Sequence, residues 1–377
     1  MQQNKQPLNS LCIVRLSAIG DVCHAVATVQ SIQRRIPETP ITWVIGRIEH
    51  ALVGDLPGIE FVVFEKQRGV KEYLELRRRF SKREPFDALL QMQTSLRANL
   101  VAGVIRARRK IGFPSSKAKE LHSLFVTEHL PETDAFHVLE LFQHFASGIG
   151  IFDCDTQWKI PLPDTAVERV EGWMGKDANY ALICPSASNA ERNWLADRYA
   201  AIARHCHALG LKVVLTGSPA EREIALARDI ENQAAIPVHN LAGQTNLKEL
   251  LALCRDARVV IGPDSGTLHM ATTQGTPAVG LYAHSNPRRT GPYHDLHRVA
   301  DAYTPALQCM STNEQSPQWG YRLKGASLMT RISVDEVIQL IDSAPVLEKN
   351  SFFGSAVGLR VEGSRVPSVL RANVFVD

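Results

Sequence analysis

The stretch SLCIVRLSAIGDVCHAVATVQSIQRRIPETPITWVIG, residues 10–46, sets the architecture more firmly than any other. Ser10 to Leu16 is an apolar run short enough for a buried strand, and SAIGD reads as a tight turn. His24 to Arg35 then places Val26, Val29 and Ile32 at helical spacing, until Pro37 and Pro40 stop the helix. ITWVIG supplies the next strand. Two strands joined by a helix of this length form a βαβ unit, and such a crossover makes the strands parallel. FDALLQMQ and VIRARRKIGF continue the pattern.

The same grammar restarts near WKIPLPDTAVERVEGWM, where Pro161 and Pro163 mark a linker. YALICPSAS reads as strand and loop, WLADRYAAIARHCHALG as helix, and LKVVLTGSPAEREIALARDI as strand, turn and helix. TNLKELLALCRDARVVIGPDSGTLHMATTQG adds helix, strand, turn and helix before a last strand, PAVGLY. The expected fold is α/β, with two Rossmann-like doubly wound domains. Residues 1–160 form the first and 161–345 the second, whose final helix is free to pack back on the first; 346–377 form a tail. The length of 377 residues agrees with two domains of roughly 150 each.

Composition excludes several classes. With 45% hydrophobic and 21% charged residues the chain is neither disordered nor fibrous. No run of about 18 apolar residues suggests a membrane span, and MQQNKQPLNSLCIVRL lacks a signal-peptide core. A cytoplasmic protein is expected. The seven cysteines, at 12, 23, 154, 184, 206, 254 and 309, form no CxxC pair and sit mostly among aliphatics, as buried thiols do. The thirteen histidines show no HExxH spacing, so no metal site and no cofactor are expected. Charge is uneven: Lys66 to Lys119 holds fifteen Lys or Arg against four Asp or Glu. That stretch is either a solvated face or a surface for an anionic partner.

Open α/β sheets bind ligands at the carboxyl ends of their strands. In GPDSGTLH the chain leaves a strand and enters a helix near Ser265, which is placed to cap it. Gly266 leaves first-turn amides open, making an anion site, and His269 is near enough to add a hydrogen bond. In PSASNAERNW, hydroxyls at Ser186 and Ser188 precede Arg192, a guanidinium suited to a diphosphate. In TGSPAE, Glu221 opens a helix and is either a dipole partner or an acceptor for ribose hydroxyls. Gly20 and Asp21 are expected at the end of the first strand; a single glycine there is no dinucleotide fingerprint, and Asp21 is either a cap or a general base.

Together these loops resemble glycosyltransferase family 9, the ADP-heptose:lipopolysaccharide heptosyltransferases. RLSAIGDVCHAVATVQSI and GPDSGTLHMATTQGTPAVGLYAHSNPRRTGPY carry the resemblance, in that order and about 240 residues apart. It implies a GT-B fold, two Rossmann-like domains facing across a cleft. It further implies inverting, metal-independent transfer of heptose from ADP-heptose to the Kdo-bearing inner core of lipopolysaccharide. Asp21 matches the family's base. Asp264, Ser265, Gly266 and His269 match its donor motif, Glu221 its ribose acid, and Ser188 a hydroxyl near the phosphates. Arg192 stands where a Lys is usual, Thr245 where some members have an apolar contact, and Cys309 lacks the further cysteines of some relatives. On this reading the basic stretch meets the anionic acceptor and the cytoplasmic face of the inner membrane. Arg77, Arg78, Arg97 and Lys119 are its candidates. The alternatives are a same-fold enzyme with another donor or acceptor, and a non-catalytic nucleotide- or glycan-binding protein that would not need Asp21. A nucleic-acid binder is disfavoured, since no helix-turn-helix, zinc-finger or RNP signature accompanies the basic stretch.

Overall fold

A computed structural model describes residues 8–176, 178–310, 319–325 and 327–345. The tail from 346 onward lies outside the described residues. In chain order the first half contains β1 (Leu11–Val14), α1 (Ile19–Arg35), β2 (Ile41–Gly46), α2 (Arg47–Val53), β3 (Ile59–Phe64) and α3 (Val70–Ser81). It continues with β4 (Phe86–Gln91), α4 (Leu96–Val104), β5 (Ala107–Gly112), β6 (Glu128–His129) and α5 (Val138–Gly148). Helix α6 (Asp164–Met174) leads into β7 (Tyr180–Ile183), α7 (Ala196–Ala208), β8 (Lys212–Leu215), α8 (Glu221–Ala234) and β9 (Val238–Asn240). Then come α9 (Leu247–Asp256), β10 (Val259–Pro263), α10 (Gly266–Gln274), β11 (Ala278–Tyr282), α11 (Pro287–Thr290), β12 (Val299–Asp301), α12 (Tyr303–Met310) and α13 (Val334–Asp342).

The strands form two six-stranded sheets, ordered β3-β2-β1-β4-β5-β6 and β12-β11-β10-β7-β8-β9. Every pairing within them is parallel. Read from the other edge, the second sheet repeats the topology of the first. In each, the strand order reverses between the two central strands: β1 and β4, then β7 and β10. That reversal opens the crevice in which doubly wound sheets hold ligands.

Alternation explains the layers. In β1, Leu11 and Ile13 face one core with α1 and α5, while Cys12 and Val14 face another with α3 and α4. Both faces are dry, which is why the strand is apolar throughout. The α1-side core continues into the second sheet through Leu182 and Val260, joined by Leu268 of α10. Helix α1 packs on α10, and α6 and α2 pack on α9, so the two sheets share one interior. Helix α13 packs on α7 and β12 beside the second sheet, where the sequence had also allowed a return to the first.

The βα turn after β1 differs from the expected one. The strand stops at Val14 and α1 begins at Ile19, so Gly20 and Asp21 belong to the first helical turn rather than the strand end. Without a side chain Gly20 lets α1 approach α10: a Cβ there would overlap the His269 ring. Five cysteines are buried, Cys154 is half-buried and Cys309 exposed; all seven are free thiols. None of the described helices is long and apolar enough to cross a membrane.

Candidate active site between the two sheets

The carboxyl ends of β1 and β10 face each other through the first turns of their helices. Asp21, in the first turn of α1, pairs with Arg15, which leaves the end of β1. Arg15 is 7% exposed, donates to Met92 O at 2.6 Å, and lies 5.1 Å over the Phe142 ring. Burial lowers the Arg15 pKa, with Asp21 opposing. A charge this deep is held by its partners, so Arg15 fixes the carboxylate's direction. Asp21 keeps 31% of its side chain open, enough to meet a substrate.

Across from it, α10 starts at Gly266 with Ser265 in the cap position. Ser265 does not cap through its hydroxyl: Oγ is buried without a partner, as is Ser186 Oγ after β7. Gly266 is required by contact as well as by amide access, since a Cβ would lie 3.0 Å from Ile19 Cγ2. His269 is buried against His24, ring centroids 4.7 Å apart, with Nδ1 unpartnered and Nε2 3.6 Å from Asp264 Oδ1. Orphaned hydroxyls and an orphaned ring nitrogen around one helix start are costly to leave dry, and a polar ligand satisfies them.

Asp264 organises this side. It accepts from Ser285 Oγ at 2.5 Å, and Arg192 NH1 reaches its backbone oxygen at 3.1 Å and Oδ2 at 3.3 Å. Burial pushes its pKa up, but His269, Ser285 and Arg192 outweigh that and leave it below the ordinary value. Asp264 therefore serves as an anchor: it aims Arg192 and holds Ser285 rather than waiting free for a ligand.

The structure thus joins Asp21, Arg192, Asp264, Ser265, Gly266 and His269. It does not bring Ser188 or Glu221 into this cluster. Ser188 is exposed and its carbonyl accepts from Arg222 at 2.9 Å; Glu221 is exposed in the first turn of α8. Ser188 follows β7 and Glu221 follows β8, its neighbour in the second sheet. Arg77 and Arg78, on α3, and Arg97, on α4, are exposed on the helices that cover the sheet face away from α1. Lys119 lies elsewhere, its amine 3.3 Å from Trp319 O.

Sequence reasoning missed four side chains here. Arg15 was visible as the one charge in the apolar run LCIVRL. His24, one turn after Asp21, is 2% exposed with both ring nitrogens unpartnered; burial, then His269 and His137, lower its pKa strongly. His137 stacks edge-on to His24 at 5.1 Å and bonds Gly291 O at 3.0 Å; burial takes it down to about 4 despite that bond. Arg289 sat inside the quoted NPRRTGPY, but nothing in its spacing separated it from Arg288. Among the described residues no group of three or more His, Cys, Asp or Glu is placed to hold a metal ion.

Comparison with known proteins decides the family. The profile of glycosyltransferase family 9 (heptosyltransferase) matches residues 74–319. The chain belongs to that family. It is therefore an enzyme, a glycosyltransferase of the heptosyltransferase type. The chain is 40% identical over 330 residues to the lipopolysaccharide core heptosyltransferase OpsX of Haemophilus influenzae, covering 87% of this chain and 95% of that one. It is 26% identical over 319 residues to lipopolysaccharide heptosyltransferase 1 of Pseudomonas aeruginosa, covering 79% and 85%. Among solved structures, a family 9 glycosyltransferase from Veillonella parvula superposes with a TM-score of 0.73 at 21% identity, over 90% of this chain and 99% of that one. The Escherichia coli ADP-heptose LPS heptosyltransferase II gives 0.64 at 19%, over 89% and 98%. These structural neighbours establish the shared GT-B fold.

Proposed function

We propose that this glycosyltransferase moves heptose from ADP-heptose to the Kdo-bearing inner core of lipopolysaccharide, with inversion at the anomeric carbon and without a metal. The observation that carries the reading is the opposition of Asp21 to the α10 turn, where Ser265 Oγ and His269 Nδ1 are buried and unpartnered. The kinship with lipopolysaccharide core enzymes supports the acceptor. An E. coli heptosyltransferase of the same fold has been solved with ADP and with a fluorinated ADP-heptose, which supports the donor.

In this mechanism the diphosphate lies at the start of α10, between its open amides and Arg192. Ser188, after β7, and Glu221, at the start of α8, border the nucleoside end. The acceptor hydroxyl attacks the anomeric carbon from the face opposite ADP. Its proton passes to the Asp21 carboxylate, and the electrons of the breaking C–O bond pass to the diphosphate. Charge growing on ADP is stabilised by Arg192 and the helix end, groups fixed before the reaction begins. His24 and His137, kept neutral by burial, back the reacting centre without adding charge to it.

Contact with the anionic cytoplasmic face of the inner membrane is part of the same proposal. Helix α3 exposes Val70 and Leu74 beside Arg77 and Arg78, and α4 exposes Leu96 beside Arg97. Apolar side chains interleaved with cations suit a lipid surface carrying negative charge.

The test is a donor and acceptor panel run in EDTA. ADP-heptose, and not UDP- or GDP-sugars, is expected to support transfer to Kdo-lipid A, giving a product of inverted anomeric configuration by NMR. Transfer that needs added divalent metal, or retention of configuration, contradicts the mechanism.

A further inference from the structure

Arg289 is a charged group at this cleft whose neighbours explain its position but not its purpose. Its guanidinium lies 4.1 Å over the Trp319 ring, and Trp319 Nε1 donates to Phe136 O at 3.0 Å, tying that ring to the first half of the chain. Nε of Arg289 is buried with no partner. Its guanidinium makes no hydrogen bond or ion pair among the described residues. A second cation converges on the same place from the other half: a Cβ built on Gly320 would lie 3.5 Å from Arg289 Nε and 3.7 Å from Lys119 Nζ. Arg322 adds a third positive charge nearby, while Asp21 is already engaged by Arg15.

We propose that Arg289, backed by Trp319 and flanked by Lys119, is a subsite for a carboxylate of the acceptor sugar. This rests on the reading of the enzyme as a transferase acting on an acidic sugar. Stacking occupies the face of the guanidinium and leaves its N–H edge free, the geometry that grips a carboxylate through two parallel hydrogen bonds. A half-buried guanidinium with no ion pair among the described residues is stabilised when an anion meets its N–H groups. Gly291, two residues on, accepts from His137, which packs on His24 one turn after Asp21, so a carboxylate held at Arg289 can fix the acceptor hydroxyl against the base. The diphosphate is the competing anion. It is already provided for by Arg192 and the α10 turn after β10, whereas Arg289 follows β11 and stacks on Trp319, which bonds Lys119 and Phe136 of the first half.

The experiment compares wild type, Arg289→Lys and Arg289→Gln with Kdo-lipid A and with its carboxyl methyl ester, using ADP-heptose as donor. ADP binding is measured separately by calorimetry, and folding by thermal melting. Wild type is expected to prefer the free carboxylate. A charge-assisted bidentate contact predicts roughly a 10- to 100-fold rise in acceptor KM for Arg289→Gln. Its ADP affinity should stay unchanged and its preference for acid over ester should vanish. Arg289→Lys should recover part of both, which a merely structural role would not produce. Weakened ADP binding with an unchanged acceptor KM would reassign Arg289 to the diphosphate and overturn the proposal. So would undiminished acid-over-ester preference in Arg289→Gln. Failure of wild type to use either acceptor would instead overturn the underlying reading, and the subsite with it.

Discussion

Gly20→Ala tests the contact on which the site depends. On an isolated helix this change should help, by up to about 1 kcal/mol, because Ala gives up less backbone entropy than Gly. Here the new Cβ would sit 3.1 Å from His269 Nε2 and overlap Cδ2. The imidazole has little room to yield, because His24 packs on it at 4.7 Å and Asp264 stands 3.6 Å from the same Nε2. Overpacking of this kind costs about 1–3 kcal/mol, so the net expectation is a loss of about 1–2 kcal/mol. Any relaxation must push α1 away from α10 and carry Asp21 with it. A shift of about 1 Å in a reacting group costs on the order of a hundredfold in rate. Urea unfolding and transfer kinetics would be measured together. Gly172→Ala is the control: it lies inside α6 with nothing within 4 Å of its Cβ, and should gain about 0.5–1 kcal/mol without touching activity. A Gly20→Ala enzyme as stable and as active as wild type would refute the close packing of α1 on α10.

Arg15→Met should lower stability by about 1–3 kcal/mol, less than for a fully buried pair because Asp21 is partly open, and should cut turnover while ADP binding persists. Calorimetry beside transfer kinetics checks this. Glu60 is held down at about 2 by hydrogen bonds from Arg83, against burial, with Thr42 and Arg79 assisting. Its stabilisation is complete above its ordinary 4.5 and fades as pH falls from 4.5 toward 2. The stability gap between wild type and Glu60→Gln should shrink across that window in acid titrations. His122 and His137 are both depressed to about 4, mainly by burial. The unfolded chain takes up their protons first, so stability should fall as pH drops from 6.5 to 4, and histidine NMR titrations should find both rings neutral at pH 6.

The fold was legible because each βαβ unit announces itself locally. β1, β7 and β10 are apolar on both faces, and the helices that follow carry their own periodicity. The start of α1 was not legible. Nothing local tells that SAIGD already contains a helical turn, because the reason Gly20 is tolerated there is a histidine some 250 residues away. The donor turn was readable from its residue types, but the role of each was not. Ser265 occupies the cap without capping, and Asp264 spends its carboxylate on Arg192 and Ser285. Arg15 stood out by type, but its role, like that of Arg289, was not legible for a different reason. An arginine's significance comes from what surrounds its guanidinium, and those neighbours, Phe142, Trp319 and Lys119, come from distant parts of the chain.

The central claim is that Asp21 takes the proton from the acceptor hydroxyl. Asp21→Asn keeps size and shape and removes the base, so it should be assayed beside wild type with ADP-heptose and Kdo-lipid A, with ADP binding measured on the same preparations. A fall in turnover of a hundredfold or more, with ADP affinity unchanged, is the result predicted. Turnover within a few-fold of wild type would contradict it.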